Sequence, residues 1–320
     1  MVAARDLTAH RAWRERGRHW AQRHAERMRR EHKPAMDTLL ARIREGGPVL
    51  ASDFPREDRG VSGWWEWTPE KRWVEAWFAL GGLMVTRRER FRRVYDLAER
   101  VLAKLEPPFA ASTLDTEQLR RQFVLDSVHA PGIAQARWIA DYFRLKPAVT
   151  VRELAPLVAA GALLEVAVSG WEVPVYVHRD HAEALQRARA GRLRATHTAL
   201  PSPFHPLVWD RPCVLAMFGF DYRIECYLFA PQRRCSYYAL PILHRVALVG
   251  RPDAKAHRAE DVFELKALFL APGVEVSPRL VDELAAAIMR TADWHGTHLV
   301  RLGHCRPAAL ARLLRAACKA

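Results

Sequence analysis

The chain is poor in cysteine. It has five, Cys213, Cys226, Cys235, Cys305 and Cys318, an odd number with no C-x-x-C pair. That excludes a disulfide framework and predicts reduced thiols in a cytoplasmic protein. No apolar run approaches the ~18 residues of a membrane span, so nothing is expected to span a bilayer, and no membrane is taken as the partner ahead of nucleic acid. The opening MVAARDLTAHRAWRERGRHW lacks the apolar stretch of a secretory signal. Its Arg-rich character fits a mitochondrial presequence poorly, because Asp6 and Glu15 interrupt it and the basic run continues. No heptad repeat demands a dimer, and a monomer is expected. Negative charge is also scarce: 36 acidic residues face 50 Lys and Arg, for a formal net charge of +14 and a pI near 10.1.

What is present follows from that imbalance. Half of the 320 residues are apolar, enough to build two or three packed units. A folded chain this basic meets a polyanion, nucleic acid first and an anionic membrane surface second. Residues 1–33 hold ten Arg and Lys against four acids, with Trp13 and Trp20 seven apart on one helical face. This basic N-terminal segment reads either as a solvated surface helix or as a phosphate-contacting one.

Residues 34–105 form the next unit. Pro34 opens a helix, Met36, Leu39, Leu40 and Ile43 give its apolar face, and Gly46-Gly47-Pro48 stops it. A second helix runs from 69 to about 80. Strands at 83–87 and 91–95 flank a basic tip, Arg88-Glu89-Arg90. Helix, turn, helix and hairpin is the winged-helix order. Over 112–190 the order recurs, with helices at 119–128, within 132–145 and at 151–160, then strands at 162–168 and 173–178. Residues 195–305 read as a strand-rich C-terminal α+β domain. Its strands are expected at 222–229, 237–243, 245–251 and 262–270, with a helix at 278–294. A basic tail, 306–320, is a short helix or a frayed end. The fold class is therefore α+β: tandem winged-helix domains followed by a strand-rich domain.

Five phrases carry a resemblance. They are SGWWEWTPEKR (62–72), MVTRRERFRRVYDLAERV (84–101), GIAQARWIADYFRL (132–145), LPSPFHPLVWDRP (200–212) and the long phrase from FGFDYRIECYLFAPQRRCSYY to GRPDAKAHR (218–258). In this order, from about residue 5 to residue 304, the chain resembles the YcaQ/AlkZ-type DNA glycosylases, a tandem winged-helix family. The resemblance implies a partner, double-stranded DNA carrying alkylated or crosslinked bases, and a DNA-contacting hairpin. It implies no metal and no other cofactor.

The resemblance also implies an N-terminal Gln-apolar-Gln or Gln-apolar-Asp motif for hydrolysis of the N-glycosidic bond. An amide or carboxylate oxygen there would stabilise the sugar cation and hold the attacking water. These 320 residues contain neither form. Either Met1 is internal to a longer natural protein, or the chain is a short form that binds DNA without cutting. No catalytic residue is assigned. The chain is read as a glycosylase-like DNA-binding protein, inactive as it stands, with a non-catalytic winged-helix regulator as the alternative.

Three basic groups are candidate DNA contacts. Arg233 and Arg234 share the turn of LFAPQRRCSYY, where Cys235-Ser236 departs from the aromatic and glycine usual in the family. Arg251, Lys255, His257 and Arg258 lie within eight residues, with Asp253 as a competing ion-pair partner. Arg87, Arg88 and Arg90, with Arg92 and Arg93, mark the first wing, although strand alternation turns half of such residues away. Trp64, Trp65, Trp67, Trp73 and Trp77 allow base stacking, but the helical spacing of the last two favours core packing between domains. His295, His298, His304 and Cys305 do not have a standard zinc spacing. Asp210, Asp221 and Glu225 read as structural carboxylates, and His205 as a residue of a helix cap, where the family usually has Asp.

Overall fold

The structure, a computed structural model, describes residues 7–16, 20–54, 67–106, 109, 113–233 and 235–318. It divides into two compact units, Met1–Arg121 and Gln122–Ala320.

In the first unit the basic N-terminal segment forms two helices, α1 (Leu7–Arg16) and α2 (Trp20–Glu31). Helix α3 (Lys33–Gly46) starts with Pro34 in its first turn, where a missing N–H costs nothing, and buries Met36, Leu39 and Ile43. A short strand β1 (Val49–Leu50) follows. Helix α4 (Pro69–Leu80) is capped by the Thr68 hydroxyl, which accepts the Lys71 N–H at 3.3 Å. Strands β2 (Leu83–Glu89) and β3 (Arg92–Leu97) complete a three-stranded antiparallel sheet ordered β1-β3-β2. Helix α5 (Ala98–Leu102) closes the chain path. The expected order of helices and strands is present, and both hairpin strands run two residues further than the sequence pattern indicated.

Trp77 centres this core. It is 6% exposed, donates its indole N–H to the Met36 carbonyl at 2.9 Å, and carries the Arg29 guanidinium 4.7 Å from its ring. A Cβ on Gly82 would lie 2.8 Å from the Trp77 ring, so only glycine lets β2 start so close to α4. Trp73 packs against the same cluster. Both tryptophans pack in a core as expected, but within one unit rather than between domains, because α4 turns them onto α3 and the hairpin. Trp67 is 41% exposed under the Lys71 ammonium, and Trp64 and Trp65 lie outside the described residues.

The second unit begins within α6 (Thr116–His129), followed by α7 (Ala136–Tyr142) and α8 (Val151–Ala159). The antiparallel pair β4 (Leu163–Val166) and β5 (Val175–His178) and helix α9 (Ala182–Arg189) come next. A five-stranded sheet then forms from β6 (Thr198–Ala199), β7 (Ile242–His244), β8 (Ala247–His257), β9 (Val262–Leu270) and β10 (Leu299–Arg306), in the order β10-β9-β8-β7-β6. Only the β9–β10 pair is parallel, reached through the crossover helix α11 (Pro278–Trp294). Leu280, Leu284 and Ile288 of α11 bury against Phe263, Leu265 and Leu268 of β9. Helix α12 (Ala308–Ala317) adds Leu310 and Leu314, so the basic tail is a docked helix rather than a frayed end.

Two expected strands are not formed. Residues 219–241 make a looped excursion, and helix α10 (Arg211–Phe218) leads into it. The physical reason is visible in its hydrogen bonds. Buried Glu225 accepts the N–H groups of Cys235 (2.9 Å) and Ser236 (3.2 Å), which a β-ladder would have given to carbonyls. A 3-10 turn, Ala230–Gln232, takes the place of a simple hairpin end.

Candidate nucleic-acid interface

The clearest basic feature of the first unit is the β2–β3 hairpin. Glu89 pairs with Arg92, leaving Arg90 and Phe91 as a two-residue turn. Arg90 sits at φ +58°, a left-handed conformation that costs a non-glycine residue energy. Phe91 is 87% exposed beside it. Arg87, Arg88, Arg90, Arg92 and Arg93 are all exposed. Strand alternation turns none of them inward, because a bulge between Val85 and Arg87 resets the register and the tip extends beyond the core.

These arginines differ in freedom. Arg87 pairs with Glu89 at 2.7 Å and Arg92 reaches the Ser52 hydroxyl at 3.3 Å. Arg88 donates to the Phe91 carbonyl at 3.1 Å and braces the turn. Arg93 joins a relay in which it contacts Glu75 (3.3 Å) and Tyr95 Oη (3.3 Å), while Tyr95 donates to Glu75 at 2.7 Å. Burial, then the Glu75 hydrogen bond, pushes the Tyr95 phenol up to about 12. Arg90 has no hydrogen-bond or ion-pair partner among the described residues. Its charge is uncompensated at the end of the hairpin.

The second unit carries the 219–241 loop, tied at its base. Buried Tyr222 donates to the Ala239 carbonyl at 2.6 Å, and Leu240 N–H reaches the Pro252 carbonyl at 2.9 Å. Burial raises the Tyr222 phenol above its usual range. Arg251 stacks 4.7 Å from the Phe220 ring and 5.7 Å from Tyr222, and donates to the Asp221 carbonyl. It is a brace under the loop. At the far end, Arg233 donates Nε to the Leu228 carbonyl at 3.0 Å and lies 4.9 Å over the Tyr237 ring, which fixes its guanidinium. Arg234 lies outside the described residues. Tyr227 (84%), Phe229 (79%) and Tyr237 (57%) are exposed around this end. The sequence reading missed these aromatics. The available signal was an arginine turn flanked by YLF and SYY.

The other cations of 251–258 do not share one row with Arg251. His257 hydrogen-bonds Glu264 at 2.9 Å, and that bond holds the Glu264 carboxyl below its usual range. Arg258 donates Nε to the His295 carbonyl at 3.1 Å and meets His295 Nδ1 at 3.0 Å. Lys255 is exposed, paired in register with Glu264. Arg251 and His257 are separated by roughly 20 Å of strand at about 3.3 Å per residue, and Arg258 lies in the turn beyond. Asp253 pairs with none of these four. Burial raises its carboxyl, opposed by Lys266 and by a hydrogen bond with Ser236.

The remaining candidates have structural positions. Asp210 caps α10 by accepting the Cys213 N–H at 3.0 Å. The Asp221 carbonyl serves Arg251, and His205 Nδ1 accepts the Leu207 N–H at 3.2 Å in the turn before α10. Burial pulls the His205 imidazole below its usual value. His298 pairs with Asp261 at 2.8 Å, His295 stacks on Phe263, His304 lies near Phe269 and Cys305 is buried. A shallow groove of about 580 Å³ runs between Tyr238 and Leu240 of the loop and Arg290, Trp294 and His295 of α11. Among the described residues no helix is long and apolar enough to cross a membrane.

Comparison with known proteins agrees with the resemblance read from the five phrases. The family model described as DNA glycosylase AlkZ-like matches residues 1–294. Among solved structures, the chain is similar to Streptomyces sahachiroi DNA glycosylase AlkZ, with 14% identity and a TM-score of 0.49 over 86% of this chain and 69% of that one. With 294 of 320 residues matched, the chain belongs to the AlkZ-like DNA glycosylase family.

Proposed function

We propose that this chain binds double-stranded DNA through winged-helix units and that these 320 residues do not themselves hydrolyse the N-glycosidic bond. The elements α3 to β3 form the first winged helix, and α6 to β5 the second. The partner is duplex DNA bearing alkylated or crosslinked bases, and the protein acts as a monomer in the cytoplasm. One observation carries the reading: the tip of the β2–β3 hairpin holds an unpartnered Arg90 among four other exposed arginines, with Phe91 fully forward. A wing of this kind grips phosphates. The 219–241 loop supports the reading as a second contact, where fixed Arg233 and exposed Tyr227, Phe229 and Tyr237 suit a minor groove.

The chemistry that such DNA requires is modest. An N7-alkylated purine is already cationic and leaves without prior protonation, so water positioning and stabilisation of the sugar cation are what a glycosylase must add. No Gln-apolar-Gln or Gln-apolar-Asp stands in this chain to do so. The test pairs two measurements on the 320-residue protein. Duplex binding is followed by fluorescence anisotropy from 50 to 300 mM salt, and release of 7-methylguanine from alkylated duplex is measured by chromatography. We expect salt-sensitive binding and background release. Release well above background would establish the enzyme reading, and failure to bind duplex at the lowest salt would sink both.

A further inference from the structure

Three potential metal ligands from three elements converge at one corner of the second unit. His129 is the last residue of α6, His178 is the last of β5, and Asp180 lies in the 3-10 turn Arg179–His181. Each offers one ligand atom, and the three atoms lie within 4.8 Å of one another. Asp180 Oδ2 is 3.3 Å from His178 Nδ1 and 3.7 Å from His129 Nε2. The fold creates this meeting. Ala134, just past α6, exchanges backbone hydrogen bonds of 3.0 and 2.8 Å with Tyr176, which draws the helix end against β5.

We propose that His129, His178 and Asp180 form a binding site for a divalent transition-metal ion, with zinc the best match and water in the fourth position. Two imidazoles and one carboxylate make a donor set for zinc rather than for magnesium or calcium, which take all-oxygen shells. Zinc–nitrogen bonds of about 2.0–2.1 Å in a tetrahedron place ligand atoms roughly 3.3 Å apart. Two separations already approach that value, so a small rotation of His129 completes the set. His178 Nδ1 also accepts the Asp180 N–H, but at 3.3 Å this is a long bond that a metal would replace.

The surroundings suit a cation. The site lies at the C-terminus of a 14-residue helix, where the unpaired carbonyls carry negative partial charge. His181 donates its Nε2–H to the His129 carbonyl at 2.8 Å, and its ring lies 4.5 Å from that of His129, which holds the ligand histidine in place. Arg179 is the opposing charge that the site must tolerate.

The experiment uses the tag-free 320-residue protein after chelator dialysis. Zinc binding is measured by calorimetry, and cobalt substitution reports ligand type through its visible spectrum. One equivalent should bind, with a nitrogen–oxygen spectrum free of thiolate bands. Asp180→Asn and His129→Gln should each weaken zinc by about 100-fold, in line with the loss of a metal-site residue. His298→Gln, a surface histidine at another site, should leave affinity unchanged. Asp180 is 60% exposed, so its variant folds even if a His178 variant does not. No zinc binding, undiminished binding in the D180N/H129Q double variant, or a cobalt spectrum dominated by thiolate overturns the proposal.

Discussion

Glu225, Arg251 and Arg90 are charged residues whose surroundings give them different work. Glu225 is 6% exposed and holds two N–H groups of the loop's returning segment. Glu225→Ala leaves both donors without partners and should lower stability by about 1–3 kcal/mol. Urea unfolding measures that loss. Limited proteolysis should show faster cleavage within 226–236, whereas Glu225→Gln, which retains an acceptor oxygen, should fall between the two. Arg251 stacks on Phe220 and Tyr222 and bonds to the backbone beneath the loop. Arg251→Ala should therefore cost stability and leave the salt dependence of DNA binding almost unchanged. A drop in salt slope without loss of stability would instead make Arg251 a phosphate contact.

At the scale of an element, the β2–β3 hairpin separates charge from backbone strain. Arg90 occupies a left-handed position that glycine fills at no steric cost. Arg90→Gly should hold or slightly raise thermal stability while weakening duplex binding. Removing both Arg88 and Arg90 should reduce the slope of log affinity against log salt by about 1.8, at roughly 0.9 per phosphate contact. Unchanged slopes would remove the wing from the interface. Helical elements were the most legible in the sequence. Thr68-Pro69 and Ser277-Pro278 cap and open α4 and α11, and the periodic apolar residues between them have nowhere else to go. The loop at 219–241 was misread as a hairpin because YRIECYLF and SYYAL have strand composition. Their pairing partners were taken by the Glu225 carboxylate and Tyr222 hydroxyl, contacts of long range that periodicity does not report. Strand β10 was missed because its parallel pairing with β9 depends on the crossover through α11. Among candidate residues, the exposed basic tip of the hairpin was legible in RRERFRR, whereas the bracing of Arg251 and the partners of His257 and Arg258 required the fold. The His129, His178 and Asp180 group had no sequence signature, since its first ligand stands 49 residues before the second.

For the whole molecule, charge couples differently to stability and to DNA. Among the described residues the native state lowers four carboxylates through specific partners. Lys33 does so for Asp37, His298 for Asp261 and His257 for Glu264, while Arg245, with Thr198, holds Glu283 down at about 2. Each has a folded value below its unfolded one, so its stabilisation is complete above the unfolded value and is lost as pH falls through the folded one. For Glu283, which joins the start of α11 to Arg245 beside β7, that window runs from about 4.5 down to about 2. Asp253 runs the other way: burial raises it, so it opposes folding once it must ionise. Glu283→Gln should flatten the acid limb of stability below pH 4.5 while lowering the melting temperature at pH 7. Duplex affinity should respond otherwise. Its proposed contacts are guanidinium groups, whose charge does not titrate near neutrality. Between pH 6 and 9, anisotropy at fixed salt should give a nearly flat affinity. A fall across pH 6 to 7 would move the main contact from the arginine wing to a histidine.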